Sequence, residues 1–119
     1  MQSNWKYYRG DIYIANLYPF FGSEEGGLRP VVVVQNNCGN KHSSTLIVAS
    51  ISSKDYSTNK LPTHYYAYKN KFLKSKSTVQ LEQLRTIDKK RIVSYIGKFT
   101  KEEMMYIDQA LLVSLGLKR

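Results

Sequence analysis

Cysteine is nearly absent from this sequence, with Cys38 alone among 119 residues. No internal disulfide can form, no C-x-x-C or Cys/His cluster has metal-ligand spacing, and a reducing compartment is expected. Apolar runs are short, and none approaches the ~20 residues that span a bilayer. The start, Met1-Gln2-Ser3-Asn4-Trp5-Lys6, lacks a charged segment followed by an apolar stretch, so a cytoplasmic protein is expected. Acidic side chains are scarce: nine stand against eighteen Lys and Arg, a net charge of +9 with pI near 9.7, which favours an anionic partner such as nucleic acid or an acidic protein segment. Internal repeats and low-complexity linkers are missing, and the length suits one core, so residues 1–119 are read as one domain with a short polar arm at 1–8. A P-loop, a Rossmann glycine pattern, a zinc motif and a nucleophile elbow are all missing. No metal, nucleotide or other cofactor is therefore expected.

What is present is organised around residues 22–36. Three glycines in the six positions 22–27 make a mobile acidic loop, Pro30 fixes φ at a strand start, and Val31 to Val34 form an unbroken β-branched run that reads as a strand buried on both faces. Arg29 sits where that loop meets that strand. It either pairs with Glu24 or Glu25 on the surface or acts on a ligand.

Elsewhere, strands are expected over 12–17, 45–52, 61–68, 78–85 and 92–98. On the first, Ile12 and Ile14 share a face. The fifth alternates on a period of two, with Val79 and Leu81 inward and Gln80 and Glu82 outward. Residues 35–44, which include His42, read as a polar turn-rich connection, 69–77 as a lysine-rich hairpin tip, and 86–91 as one helical turn. Phe20 and Phe21 either close a core or stack on unpaired bases. Thr100 and Glu103 form a capping box, Phe99 and Met104 a hydrophobic staple, and Met104, Ile107, Leu111 and Leu115 one apolar helix face closed by Gly116. The pattern is mainly β with one terminal helix, a small β-barrel with the helix packed on it.

Two catalytic arrangements exist on paper: a Ser52-His64-Asp55 hydrolase and a ribonuclease using His42 and His64 as acid and base. Metal-free RNA cleavage needs a group to take the 2′-OH proton, positive charge on the phosphorane oxygens and an acid for the leaving 5′-oxygen. An arginine with a nearby hydroxyl serves the charge requirement, because its planar fork fits phosphate oxygens.

Arg9-Gly10-Asp11, Gly22-Ser23-Glu24, Gly26-Gly27-Leu28-Arg29-Pro30-Val31, Gln35-Asn36, Leu61-Pro62-Thr63-His64, Leu81-Glu82-Gln83-Leu84-Arg85-Thr86-Ile87-Asp88 and Ser114-Leu115-Gly116-Leu117 occur in that order. The ordered set, covering residues 9–117, resembles the MazF/PemK family of toxin endoribonucleases. The resemblance implies a homodimer of small SH3-like barrels of the CcdB/MazF type. Such a dimer cuts single-stranded mRNA at short sequences without a metal, leaving a 2′,3′-cyclic phosphate and a 5′-hydroxyl. It implies catalytic roles for Arg29 and for Ser52, which stands where the family pattern has threonine, with Ser53 adjacent. Glu24, Glu82, Gln83 and Arg85 become expected RNA contacts in a groove that an acidic antitoxin also occupies. Two rivals share the fold: a gyrase-poisoning toxin of the CcdB group, which depends on a tryptophan near the C-terminus where this chain has only Trp5, and a catalytically weak RNA-binding module.

Overall fold

The computed structural model describes residues 4–24, 26–54, 56 and 60–118. Six strands, β1 (Asp11–Asn16), β2 (Leu28–Val33), β3 (Thr45–Ser52), β4 (His64–Tyr66), β5 (Thr78–Asp88) and β6 (Ile92–Lys98), form one antiparallel sheet in the order β4-β5-β3-β2-β1-β6. Helices α1 (Asn37–His42) and α2 (Lys101–Ser114) and a 3-10 turn at Lys89–Arg91 complete it. The expected mainly-β fold with a C-terminal helix is what the chain adopts. Among the described residues no ladder joins β4 to β6. The β4–β5 connection spans that gap instead, with Phe72 so close to Gly97 that an added Cβ would lie 2.3 Å from its Cγ.

Apolar side chains alternate to two cores because the sheet is covered on both faces. Ile12, Val32, Ala49, Ile51, Val79 and Leu81 pack beneath Phe99, Ile107 and Ala110 of the helix side. Tyr13, Ala15, Leu17, Val31, Val33, Leu46, Val48, Ile87 and Ile92 fill the other face, where Trp5 and Tyr7 of the N-terminal arm cover them. Trp5 Nε1 donates to Tyr13 OH at 2.8 Å, and Tyr13 OH donates to Asp11 Oδ2 at 2.8 Å. Burial pushes the Asp11 carboxyl and the Tyr13 phenol upward. The Arg-Gly-Asp turn is structural: Arg9 grips Asp108 of α2 with both Nη atoms and donates Nε to the Val34 carbonyl at 2.9 Å, while Gly10 supplies φ +93°.

Several local expectations change. Residues 35–44 are not a plain connection. They hold α1, whose Asn36 cap accepts from Gly39 N at 2.8 Å and whose buried Asn40 accepts from Gln35 Nε2 at 3.0 Å and donates Nδ2 to the Gln35 backbone carbonyl at 3.0 Å. β2 starts at Leu28, not Val31. Pro30 is accommodated because β2 there is laddered to β1 but not yet to β3. Residues 61–63 form a turn closed by His64 N donating to Leu61 O, which shortens β4. β5 runs to Asp88, leaving the turn to start at Lys89. In α2 the capping box is present with both of its hydrogen bonds, and Ile107 and Ala110 are buried with Met104 and Leu111 partly so. Leu115 is 54% exposed, because it is the cap residue and Gly116 at φ +72° turns the chain away.

Candidate functional site

Arg29 lies at the mouth of β2, half-buried, with Nε donating to Gly26 O at 2.8 Å. That anchor holds the guanidinium against the loop that precedes it. The loop is itself pinned. Leu17 N donates to Gly27 O at 2.8 Å, and Gly27 takes φ +81°. Phe20 lies so near Gly26 that a Cβ there would sit 1.9 Å from its Cδ1, and only glycine fits. Arg85 of β5 donates to Leu17 O at 2.7 Å and Pro19 O at 3.4 Å, and Arg91 donates to Asn16 O at 3.0 Å and to Tyr18 O. Two arginines distant in sequence thus brace the loop's first residues. Glu24 caps the loop's own turn, its Oε1 accepting from Phe21 N at 2.6 Å. Glu25 lies outside the described residues. Phe21 is 85% exposed.

Ser52 ends β3 and is buried, and its Oγ accepts from Lys54 N at 3.1 Å. The β2–β3 register pairs Val31 with Ser50, Val32 with Ala49 and Val33 with Val48. The ladder stops two residues short of Arg29 and Ser52, so both lie just beyond its end, on the face that Val31, Val33 and Val48 share by alternation. Ser53 is exposed. It joins Arg29, Lys74 and Ser77 in lining a cleft of about 380 Å³ that also brings one lysine of the 69–77 segment to the site.

β5 carries a bulge. Ala49 pairs with Leu84 but Ser50 pairs with Gln80, so Leu81, Glu82 and Gln83 have no direct partners on β3. A bulge re-aims side chains. Glu82 projects to the surface, accepting from Thr63 Oγ1 at 2.9 Å and lying 2.9 Å from His64 Nε2, with Gln83 half-buried beside it. Gln80 points away from Val79 and Leu81 as expected, but at 3% exposure that face is covered too, so the strand expected to be half-buried is buried on both faces from Thr78 to Leu81.

On the face away from α2, the end of the sheet near Ser52 is therefore polar: Ser50, Ser52, His64, Thr78 and Gln80 are all buried there. The signal was present as i, i+2 polar pairs on three strands that turn out to be neighbours, but without the strand order it could not be assembled. The bracing roles of Arg85 and Arg91 left no local signal.

The paper catalytic arrangements do not form. His42 is exposed on α1, before Thr45, whereas His64 is level with Ser50 through Gln80, about 16 Å further along β3. His64 contacts Glu82 rather than Ser52, and Asp55 lies outside the described residues. Among the described residues no group of three His, Cys, Asp or Glu is placed to hold a metal ion, and no helix is long and apolar enough to cross a membrane. Trp5 packs against Tyr13 and Tyr95, on the sheet rather than near the C-terminus.

A family model of PemK-like, MazF-like toxins of type II toxin–antitoxin systems matches residues 8–115. Among solved structures, an endoribonuclease in complex with its cognate antitoxin from a Mycobacterial species is 24% identical. It aligns with 94% of this chain and 97% of its own, with a TM-score of 0.78. A second Mycobacterial endoribonuclease is 22% identical over 98% and 97% of the two chains, also with a TM-score of 0.78. MazF from Deinococcus radiodurans is 18% identical over 95% and 99%, with a TM-score of 0.80.

Proposed function

The chain belongs to the PemK-like, MazF-like toxins of type II toxin–antitoxin systems, and from that premise we propose that it is a sequence-specific, metal-independent endoribonuclease that cuts single-stranded mRNA and so halts translation and growth. The observation that supports the reading is Arg29 on a braced loop, its Nε fixed by Gly26 O, lining an open cleft together with Ser53 and Lys74.

In the reaction the 2′-oxygen attacks the adjacent phosphorus as its proton passes to water. The bond from phosphorus to the 5′-oxygen breaks and that oxygen takes a proton from water, giving a 2′,3′-cyclic phosphate and a 5′-hydroxyl. Negative charge builds on the phosphorane oxygens. Arg29 stabilises it, since a guanidinium offers several donors in a fixed plane and Gly26 already fixes that plane. Removing one such preorganised donor costs about 10²–10³ in kcat. Ser52 Oγ accepts from Lys54 N and so directs its own proton away from the backbone, toward a substrate oxygen.

Glu24, Glu82, Gln83 and Arg85 line the RNA groove. Glu82 and Gln83, lifted by the bulge, have the edge chemistry that reads bases, and Arg85 holds the loop over the groove. The +9 chain meets a cognate acidic antitoxin, whose extended segment competes with RNA for the same charge. The toxin acts as a homodimer in the cytoplasm.

The test is to incubate purified protein with a long unstructured RNA in EDTA and sequence the new 5′-hydroxyl ends. Discrete cuts at one short motif, lost in Arg29→Ala, are expected. Intact RNA across a wide protein range contradicts the reading.

A further inference from the structure

Among the described residues, four polar atoms are buried without a hydrogen-bond partner: His64 Nδ1, Tyr66 OH, Thr78 Oγ1 and Gln80 Oε1. They are not scattered. The β4–β5 register sets His64 opposite Gln80 and Tyr66 opposite Thr78, so the four form one two-by-two block on a single face. β3 continues the block, with Ser50 paired to Gln80 and Ser52 to Thr78. Buried polar groups in folded proteins are nearly always satisfied, and an orphaned cluster marks a missing partner.

We propose that this block is a pocket for one nucleobase next to the scissile phosphate, and that it selects a base carrying an exocyclic amino group. The inference rests on the ribonuclease reading above. The donor and acceptor inventory decides the chemistry. A carboxylate only accepts, so the contact with Glu82 at 2.9 Å places a proton on His64 Nε2, and in that tautomer Nδ1 is an acceptor. Gln80 Nε2 donates to Tyr56 OH at 3.2 Å, which orients the amide and leaves Oε1 a second acceptor. Two fixed acceptors beside two hydroxyls call for a ligand edge rich in N–H. Adenine, cytosine and guanine each supply an amino group, and the hydroxyls answer their ring nitrogens or carbonyl. Uracil offers two carbonyls and one N–H, setting acceptor against acceptor.

The surroundings suit a nucleotide. The ring centroids of Tyr56 and Tyr66 lie 4.9 and 6.1 Å from that of His64, both edge-on. Lys54 and Lys60 hold their ammonium groups 5.6 and 5.7 Å from the Tyr56 and Tyr66 rings, so the aromatic walls carry a cationic rim. The Tyr56 ring stands beside His64 as one wall of the block, and its hydroxyl engages only Gln80 Nε2, leaving the four orphaned atoms for the base.

The experiment is cleavage of a random-sequence RNA pool by the full chain, with every cut site sequenced and the ratio of cutting at each position read within one tube. In the wild type, one position of the motif excludes uracil. Gln80→Leu raises the share of uracil there by about ten- to a hundredfold, while Gln80→Glu, which keeps the acceptor, keeps the exclusion. Thr78→Val gives a smaller shift at the same position and serves if Gln80→Leu fails to fold. An unmoved ratio in Gln80→Leu and Thr78→Val overturns the pocket alone. So does a fall in mass by light scattering in those variants, since it shows that the orphaned groups face a second copy of the chain. No cutting by the wild type overturns the ribonuclease reading and the pocket with it.

Discussion

Gly26→Ala separates the stability of the fold from the positioning of its arginine. Gly26 is not one of the glycines at positive φ, so the backbone accepts alanine. The obstacle is steric: the new Cβ falls 1.9 Å from Phe20 Cδ1, 2.1 Å from Cγ and 2.6 Å from Cβ. The ring must leave. Phe20 is 46% exposed, so it loses roughly half the ~1.5–3 kcal/mol that full burial of a phenylalanine contributes. The expected destabilisation is about 1 kcal/mol, or about 4 °C in Tm for a chain of this length. Activity should suffer more. Gly26 O anchors Arg29 Nε at 2.8 Å, and a displacement of ~1 Å in a charge-stabilising group costs on the order of 10²-fold in kcat/KM. Phe20→Gly/Gly26→Ala removes the clash, including the one with Phe20 Cβ, so Tm and cleavage should both return to the values of Phe20→Gly alone, a strongly non-additive cycle. Thermal unfolding and single-turnover RNA cleavage read the two quantities. Additive losses in both would refute the reasoning, since the clash would then not be what moves Arg29.

Three further outcomes are expected. Thr100→Ala removes the acceptor for Glu103 N and lowers stability by about 1 kcal/mol, read by urea titration, with cleavage per folded molecule unchanged. Arg9→Ala breaks the two-pronged contact with Asp108 and the bond to Val34 O; it costs about 1–2 kcal/mol, less at high salt because both side chains are partly exposed, and Arg9→Lys does not restore it. Burial pushes the Tyr65 phenol up to about 12, so the folded state keeps that proton longer than the unfolded chain does. The contribution is complete below pH 10 and is lost as pH rises from 10 to 12, so the urea midpoint of Tyr65→Phe should fall less steeply across that window than the wild type's.

The parts of the molecule that the sequence discloses are those whose cause is local. The α2 cap rests on Thr100 and Glu103 three residues apart, the β2 run announces itself by its unbroken valines, and the β3 run by its apolar, β-branched-rich residues. Arg29 stands out because glycines and a proline punctuate the chain around it. Long-range causes stay hidden. A period-two reading of β5 assumes an uninterrupted pleat, and the bulge at Leu81 to Gln83 breaks it; Gln80, before the bulge, is buried because β3 and β4 flank it. The short α1 hides behind Asn, Gly and Lys because its stability comes from Asn36 and the Gln35–Asn40 hydrogen bonds, not from helix propensity. Arg85 and Arg91 reach the loop at residues 16–19 from positions more than sixty residues away in sequence. The polar block appears only when β3, β5 and β4 are seen to be neighbours.

The most direct test of the central claim is single-turnover cleavage of one mapped RNA site in EDTA by the wild type, Arg29→Ala, Arg29→Lys, Ser52→Ala and Ser53→Ala, with folding verified by matched Tm values. The account predicts a fall of about 10²–10³-fold for Arg29→Ala, little recovery in Arg29→Lys, and a larger loss for Ser52→Ala than for Ser53→Ala. Cleavage by Arg29→Ala at the wild-type rate would contradict it.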